Sequence, residues 1–251
     1  MPNETERILV VGAGLMGSGI GQAFAQAGHR VVLCDRTNDQ LRTAVSQIKE
    51  NLKEMLQWHV IDAARAKETL QNIQTSLSLE QSAEGVEFVA EAIDEDLAAK
   101  QGIFQRLDRI CPSQTLLASN TSFFKPSALS VGTYHPERIL VAHFFYPPHL
   151  IPLVEIVPSP QTLESAGETA YRLIKAIGKV PILVRKEAVG FVANRLQLAL
   201  MREALHIVDE GIASPEDVDL AVKSSFGRRL AVAGPLELRE IQSGWDSTLA
   251  T

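Results

Sequence analysis

The sequence predicts an α/β fold, a mostly parallel sheet wrapped on both faces by helices, followed by a smaller all-helical C-terminal domain. Three observations predict it. Short apolar runs alternate with helical periodicity through about residue 184, which is the pattern of strands joined by crossover helices. A glycine-rich turn separates the first strand from the first helix. After Lys186 the strand signal stops and long helical stretches take over.

The elements follow in order. Residues 7–11 (RILVV) form a strand that ends in glycines, 20–28 continue as a helix stopped at Gly28, and 31–35 form a second strand. Between Asp39 and Trp58 the apolar residues Leu41, Val45, Ile48, Leu52 and Met55 step by four, three, four and three, so this segment is an amphipathic helix, with another over about 61–73. Alternation then returns, with strands over 75–79 and 86–93, a helix over 96–110 and a strand over 115–119. Further strands are expected at 139–145, 153–157 and 180–184, with a helix at 162–177 stopped by Gly178. Phe191 to Glu210 is one helical run, and Ser214-Pro215-Glu216-Asp217 starts another with an N-cap, a first-turn proline and acids against the dipole. The boundary is placed near 187, giving an α/β domain over 1–187 and a helical domain over 188–251.

The chain has 251 residues, with 24 Lys plus Arg against 30 Asp plus Glu and a net charge of −6, a balance that argues against a nucleic-acid partner. At 45% apolar and 22% charged it falls among ordinary globular proteins, and disordered or fibrous classes are excluded. Its two cysteines, Cys34 and Cys111, are too few for a disulfide framework and lack metal-ligand spacing, so no metal site and a reducing cytoplasm are expected. Residues 1–7 carry acids and no basic segment of a signal peptide, and no run reaches the ~18 apolar residues of a membrane span. A soluble protein with no membrane partner is expected.

Gly12-Ala13-Gly14-Leu15-Met16-Gly17 matches G-x-G-x-x-G, a weak signal by itself. Here it follows a strand, opens a helix and precedes Asp35 at the end of the next strand by 18 residues from Gly17, the arrangement that binds a dinucleotide. Gly12 permits the tight turn, Gly14 lets the backbone approach a pyrophosphate, and Gly17 lets helix and strand pack closely. Asp35 would accept hydrogen bonds from the adenine ribose and repel a 2′-phosphate, which favours NAD over NADP, although Arg36 beside it carries the opposite sign. FAD is the other dinucleotide that fits the motif, but the chain shows no second nucleotide half-site and no room for a large flavoprotein substrate domain.

Oxidising an alcohol with a nicotinamide needs a base for the hydroxyl proton, and histidine suits it. Of the six histidines, His143 stands at the end of the apolar strand Ile139-Leu140-Val141-Ala142, where ligands gather in parallel sheets, and is followed by Phe144, Phe145 and Tyr146. His29, His59, His135 and His206 are most simply surface or packing residues. Glu155 interrupts the apolar strand Leu153-Val154-Glu155-Ile156-Val157, where an unpaired carboxylate would be costly. Facing His143, it would fix the imidazole tautomer. A structural histidine and an edge-strand glutamate remain the alternative.

The chain resembles the 3-hydroxyacyl-CoA dehydrogenase family. The resemblance is carried by the glycine motif with Asp35, Glu91-Ala92-Ile93, Glu95 and Lys100, Ser119-Asn120-Thr121-Ser122, His143-Phe144-Phe145, Leu153-Val154-Glu155, Gly190-Phe191 and Asn194-Arg195, in family order over nearly the whole chain. It implies a Rossmann-type first domain, a protruding helical hairpin over 39–73, and a helical domain that dimerises. It further implies His143 as general base, Glu155 as its orienting partner, Ser122 on the reacting oxygen, Asn194 beside the substrate, and Glu95 and Lys100 near the nicotinamide ribose. By themselves, Ser122 could equally be a turn hydroxyl, Asn194 a helix–helix hydrogen bond, and Glu95 with Lys100 a solvated helix-start pair.

Two departures matter. Tyr146 stands where the family pattern has asparagine before proline, a bulkier phenol that would reshape the pocket wall. Beyond Gly234-Pro235-Leu236-Glu237, where the family continues with further helices, the chain ends at Thr251, so the helical domain is expected to be short or truncated. The resemblance implies L-3-hydroxyacyl-CoA oxidation with NAD in fatty acid metabolism by a homodimer. Pro147-Pro148, Ile151-Pro152-Leu153 and Gly211-Ile212-Ala213-Ser214-Pro215 look closer to a branch that includes lambda-crystallin and L-gulonate 3-dehydrogenase, leaving two alternatives: a free 3-hydroxy acid such as L-gulonate or 3-hydroxybutyrate, and a non-catalytic dinucleotide-binding protein. The basic residues of the hairpin are interleaved with acids, more like a solvated helix surface than a phosphate cradle.

Overall fold

A computed structural model describes residues 6–243, so the N-terminal segment and residues 244–251 of the helical domain lie outside the described residues. By its contacts the chain divides after Val192, a few residues beyond the expected boundary near 187.

The first unit is built from eight strands: β1 (Arg7–Val11), β2 (Arg30–Cys34), β3 (Ile73–Ser76), β4 (Phe88–Glu91), β5 (Leu116–Ser119), β6 (Ile139–Phe144), β7 (Leu153–Pro158) and β8 (Val180–Leu183). They form one sheet in the order β3-β2-β1-β4-β5-β6-β7-β8. Neighbours are parallel except β6 and β7, which pair antiparallel, so the sheet is mostly parallel as the alternation of elements predicts. The helices are α1 (Leu15–Gln26), α2 (Asn38–Gln57), α3 (Ala63–Gln71), α4 (Leu79–Ser82), α5 (Leu97–Ile110), α6 (Pro126–Leu129) and α7 (Glu164–Ala176). The sequence reading missed the single-turn helices α4 and α6, which are too short to show a period.

Strand side chains alternate between the two faces of the sheet, and a core packs on each. Ile8, Val10, Phe24, Leu33, Leu140 and Ile156 belong to one, and Leu9, Val11, Val89, Phe104, Val141 and Val157 to the other. By this period His143 and Glu155 share the face of Val141 and Val157. Four helices of this unit start at polar caps that the sequence supplies: Thr37 accepts the Gln40 N–H, Asp62 that of Arg65, Ser78 that of Gln81, and Asp96 that of Ala99.

One strand is displaced from expectation. Residues 75–79 were expected to be extended, whereas β3 ends at Ser76, Leu77 is exposed and Leu79 begins α4. Leu77 and Leu79 belong to the turn and the helix that follow an edge strand of one isoleucine and three polar residues.

The second unit is all helical, with α8 (Ala193–Asp209), α9 (Pro215–Ser224), α10 (Phe226–Leu230) and α11 (Pro235–Ser243). The proline and acids predicted to start α9 do so, with Ser214 accepting the Asp217 N–H. Leu196, Leu198, Leu200, Met201 and Leu205 of α8 are all exposed.

Candidate functional site

At the carboxyl end of the sheet, strand order reverses between β1 and β4, the point at which parallel α/β sheets open a crevice. The glycine motif sits there between β1 and α1. Gly12 has φ +93°, and a Cβ on it would lie 2.6 Å from the Ala92 carbonyl oxygen. A Cβ on Gly17 would lie 1.8 Å from the Gly12 oxygen, so helix and turn approach as closely as only glycine allows. A Cβ on Gly14 would meet nothing within 4 Å, because this position faces the open space of a cavity of about 460 Å³. Gly14 is also the N-cap of α1 and brings no side chain to the first-turn N–H groups, which leaves them for an anion. Leu15 and Met16 are the first two residues of that helix.

Asp35, just past β2, lines the same cavity together with Arg36, Gln40, Ile93, Ile103 and Arg106. Its Oδ2 accepts the Ala13 N–H at 2.7 Å and its Oδ1 the Arg36 N–H at 2.6 Å, so the acid and the glycine turn are held to each other. These residues fit a dinucleotide: a cradle without side chains at the helix N-terminus, and a carboxylate at the neighbouring strand end. Cys34 also lines the cavity, but burial pushes its thiol above the ordinary range, and that of Cys111 to about 11, so both are inert neutral thiols at pH 7.

The candidate acid–base residues lie further along the sheet. In the antiparallel β6–β7 ladder His143 is directly opposite Glu155. His143 Nδ1 is 2.8 Å from Glu155 Oε2, with His143 3% and Glu155 0% exposed. An ionised carboxylate only accepts, so in the neutral imidazole Nδ1 carries the proton and Nε2 the lone pair. That nitrogen faces the Ser122 hydroxyl at 3.2 Å. The other oxygen of Glu155 accepts the Val192 N–H at 2.9 Å. Two aromatic rings bound the imidazole, Phe145 at 4.4 Å and Phe191 at 5.5 Å between centroids. The structure thus brings Ser122, His143 and Glu155 into one hydrogen-bonded series.

Glu95 and Lys100 meet as well. Glu95 accepts the Thr121 hydroxyl and the Ser122 N–H, the latter at 3.1 Å, and its Oε2 is 3.3 Å from Lys100 Nζ. Lys100 is 1% exposed; its ammonium also reaches Glu91 Oε1 at 2.7 Å and the Ile93 carbonyl at 3.2 Å. The pair is therefore not a solvated helix start. Sequence reasoning gave Glu91 no role, although it is a fully buried carboxylate that also accepts the Ser119 hydroxyl. Its signal was the one already used for Glu155, an acid at the end of an apolar strand. Asn194 stands in the first turn of α8, in the second unit.

Phe191 has φ +48° and follows Gly190 at φ +74°. A left-handed backbone costs a non-glycine residue about 1–2 kcal/mol, so the surrounding structure must hold it.

A family model described as 3-hydroxyacyl-CoA dehydrogenase, NAD binding domain, matches residues 7–188, and the model of the family's C-terminal domain matches 190–249. The chain is 37% identical over 237 residues to the lambda-crystallin homolog of Homo sapiens, covering 94% of this chain and 74% of that one. It is 36% identical to the mitochondrial hydroxyacyl-coenzyme A dehydrogenase of Sus scrofa, covering 97% and 77% respectively. Among solved structures, a 5-formyl-3-hydroxy-2-methylpyridine 4-carboxylic acid 5-dehydrogenase, an NAD-dependent dismutase, is similar with a TM-score of 0.86 and 29% identity, over 98% of this chain and 78% of the other.

Proposed function

The chain belongs to the 3-hydroxyacyl-CoA dehydrogenase family, NAD-dependent oxidoreductases acting on CH–OH groups, and from that premise we propose that it interconverts an L-3-hydroxyacyl-CoA and its 3-oxoacyl-CoA, with His143 as the general base. The observation that carries the reading is the series Ser122–His143–Glu155 at the carboxyl end of the sheet. When bound, NAD supplies the acceptor for the hydride that leaves the hydroxyl-bearing carbon.

The residues of the chain handle the rest. The Nε2 lone pair of His143 takes the hydroxyl proton as the hydride leaves, and in the reverse direction the imidazolium returns it. Glu155 holds the tautomer that makes this possible and offsets the positive charge when it forms. Ser122, 3.2 Å from His143 Nε2, would donate to the reacting oxygen, and the family resemblance supplies Asn194 as a substrate contact. Glu95, held by Lys100 and by the Ser122 loop, would hold the nicotinamide ribose. Gly12 and Gly17 keep the turn and helix close, Gly14 would let the backbone approach the pyrophosphate, and Asp35 would accept from the adenine ribose hydroxyls.

A free 3-hydroxy acid is the second reading. It is favoured by Tyr146, 62% exposed beside the His143 strand, and by the likeness to lambda-crystallin and to a dehydrogenase of a pyridine carboxylic acid. NADH oxidation with acetoacetyl-CoA, beside NAD reduction with L-3-hydroxybutyrate and L-gulonate, separates the two. Turnover of the thioester alone is the expected result, and turnover of a free acid alone overturns it.

The exposed leucines of α8 support a homodimer, which sedimentation velocity tests directly. Two buried free cysteines fit a reducing compartment such as the cytoplasm, although the Sus scrofa relative is named as mitochondrial. No helix among the described residues is long and apolar enough to cross a membrane.

A further inference from the structure

Residues 187–192 are pinned at both ends. Upstream, the Glu187 carboxylate accepts the Ser127 N–H at 3.1 Å and the Ser127 hydroxyl at 2.6 Å, fastening the segment to α6. Downstream, Val192 donates its N–H to Glu155. In between, the Ala188 carbonyl accepts the Phe191 N–H, closing a turn with Gly190 at its third position. The turn itself is satisfied by that glycine, because only the third residue of a type II turn requires positive φ. Phe191 continues in the left-handed region without needing to for the turn. What the conformation achieves is a placement: the Phe191 ring is 2% exposed, its centroid 5.5 Å from that of His143 at an interplanar angle of 57°, and the next N–H along the chain reaches Glu155.

We propose that Phe191 is a positioning residue for the dehydrogenase reaction: its left-handed backbone aims the Val192 N–H at Glu155, and its ring confines the imidazole with Nδ1 on Glu155 and Nε2 on Ser122. An imidazole can turn about its χ2 bond, and a rotation that exchanged its nitrogens would remove the base from the substrate side. The tilted rings of Phe145 and Phe191 both flank the imidazole, so such a rotation would have to displace them. This inference rests on the assignment of His143 and Glu155 made above.

The test uses the full chain with Phe191→Gly, Phe191→Tyr and, as a control for the assignment, His143→Gln. Glycine accepts the left-handed backbone and preserves the Val192 hydrogen bond, so it removes only the ring. Phe191→Gly is expected to lower kcat by on the order of 10- to 100-fold, the range for a slightly misplaced catalytic group, with the KM for NADH unchanged. Phe191→Tyr is expected to restore most of it. Imidazole 15N shifts are expected to show a single tautomer at His143 in the parent and Tyr chains and a mixture in the Gly chain. Parent-like kcat and a single tautomer in Phe191→Gly, with only a lower melting temperature, would overturn the proposal and leave the ring a packing element. Should Phe191→Gly not fold, Phe191→Leu keeps bulk without a flat face and is read by the same kcat and KM. Activity that survives His143→Gln would overturn the assignment of the base and this inference with it, an outcome distinct from an indifferent Phe191.

Discussion

Replacing Glu155 with glutamine changes one oxygen to an amide nitrogen in a side chain that is 0% exposed, and its effect can be worked from two of the donors that face it. His143 Nδ1 approaches one carboxylate oxygen at 2.8 Å and the Val192 N–H the other at 2.9 Å. Glutamine offers one acceptor oxygen and one NH2. With the oxygen towards Val192, the NH2 points at Nδ1, which must then accept; the imidazole proton moves to Nε2, and the nitrogen facing Ser122 is no longer a base. With the oxygen towards His143 the tautomer is kept, but two buried N–H donors confront each other at Val192, at about 1–3 kcal/mol. That difference leaves the competent orientation as roughly one molecule in 5 to one in 150. Oxidation of L-3-hydroxybutyryl-CoA by Glu155→Gln is therefore expected to show kcat lower by about 5- to 150-fold even if the competent minority turns over normally. The KM for NAD should not change, since neither donor touches the cofactor cavity. The assay is NADH absorbance at saturating substrate, with titration of NAD as the control. Parent-like kcat at an unchanged KM would refute the reasoning, because it would mean that the tautomer at His143 is not set by Glu155.

Three further outcomes follow from the geometry. Gly17→Ala places a Cβ 1.8 Å from the Gly12 oxygen, so the turn must open; calorimetry should show NAD binding lost, with stability lower by about 1–3 kcal/mol. Asp35→Ser removes the charge that faces the ribose and the acceptor that holds the Ala13 N–H; NAD should bind about 10- to 100-fold more weakly and the preference over NADP should shrink, whereas an unchanged ratio of dissociation constants would remove Asp35 from that role. The third concerns acid. His29, buried with its Nδ1 accepting the Glu6 N–H, is held below the ordinary 6.5 by burial, against a weaker upward pull from Glu87; His149 is lowered by burial and by the charge of Lys179. Because the folded state binds these protons more weakly than the unfolded state, stability is greatest above about pH 6.5 and falls as pH drops below it, by up to about 1.4 kcal/mol per pH unit for each group. Urea unfolding at about pH 7 and pH 5 measures the loss, and His29→Gln should make it shallower.

Much of the fold was legible because its signals are local. The glycine motif, Asp35 and the strand–helix–strand around them follow from residues within one supersecondary unit, and the four-and-three spacing of Leu41 to Met55 marks α2 with little ambiguity. The pair His143–Glu155 was legible as a possibility, since a carboxylate in an apolar strand demands a partner, but not as a contact. Which residue a strand faces depends on the register of β6 against β7, and nothing in two apolar runs twelve residues apart states that they pair antiparallel. Lys100 illustrates a different limit. Its position near a helix start suggests a solvated cation, and only the fold shows three acceptors from β4, the following loop and Glu95 converging on it. Phe191 is the strongest case: an ordinary phenylalanine at what looks like the start of a helix, whose positive φ, between the Glu187–Ser127 and Val192–Glu155 hydrogen bonds, matches no residue preference of its own.

The antiparallel pairing of β6 and β7 also separates two kinds of information along the chain. A ladder in register decides that His143 meets Glu155, and the eight residues that join the strands contribute neither member of the pair. That connection starts with Phe145, whose ring lies against His143, and runs on through Tyr146 and its prolines, yet which two side chains meet is decided on the rungs and not by the length of the bridge. A sheet of this kind holds a buried imidazole and a buried carboxylate together through its hydrogen-bonded frame, whatever the path of the chain between them.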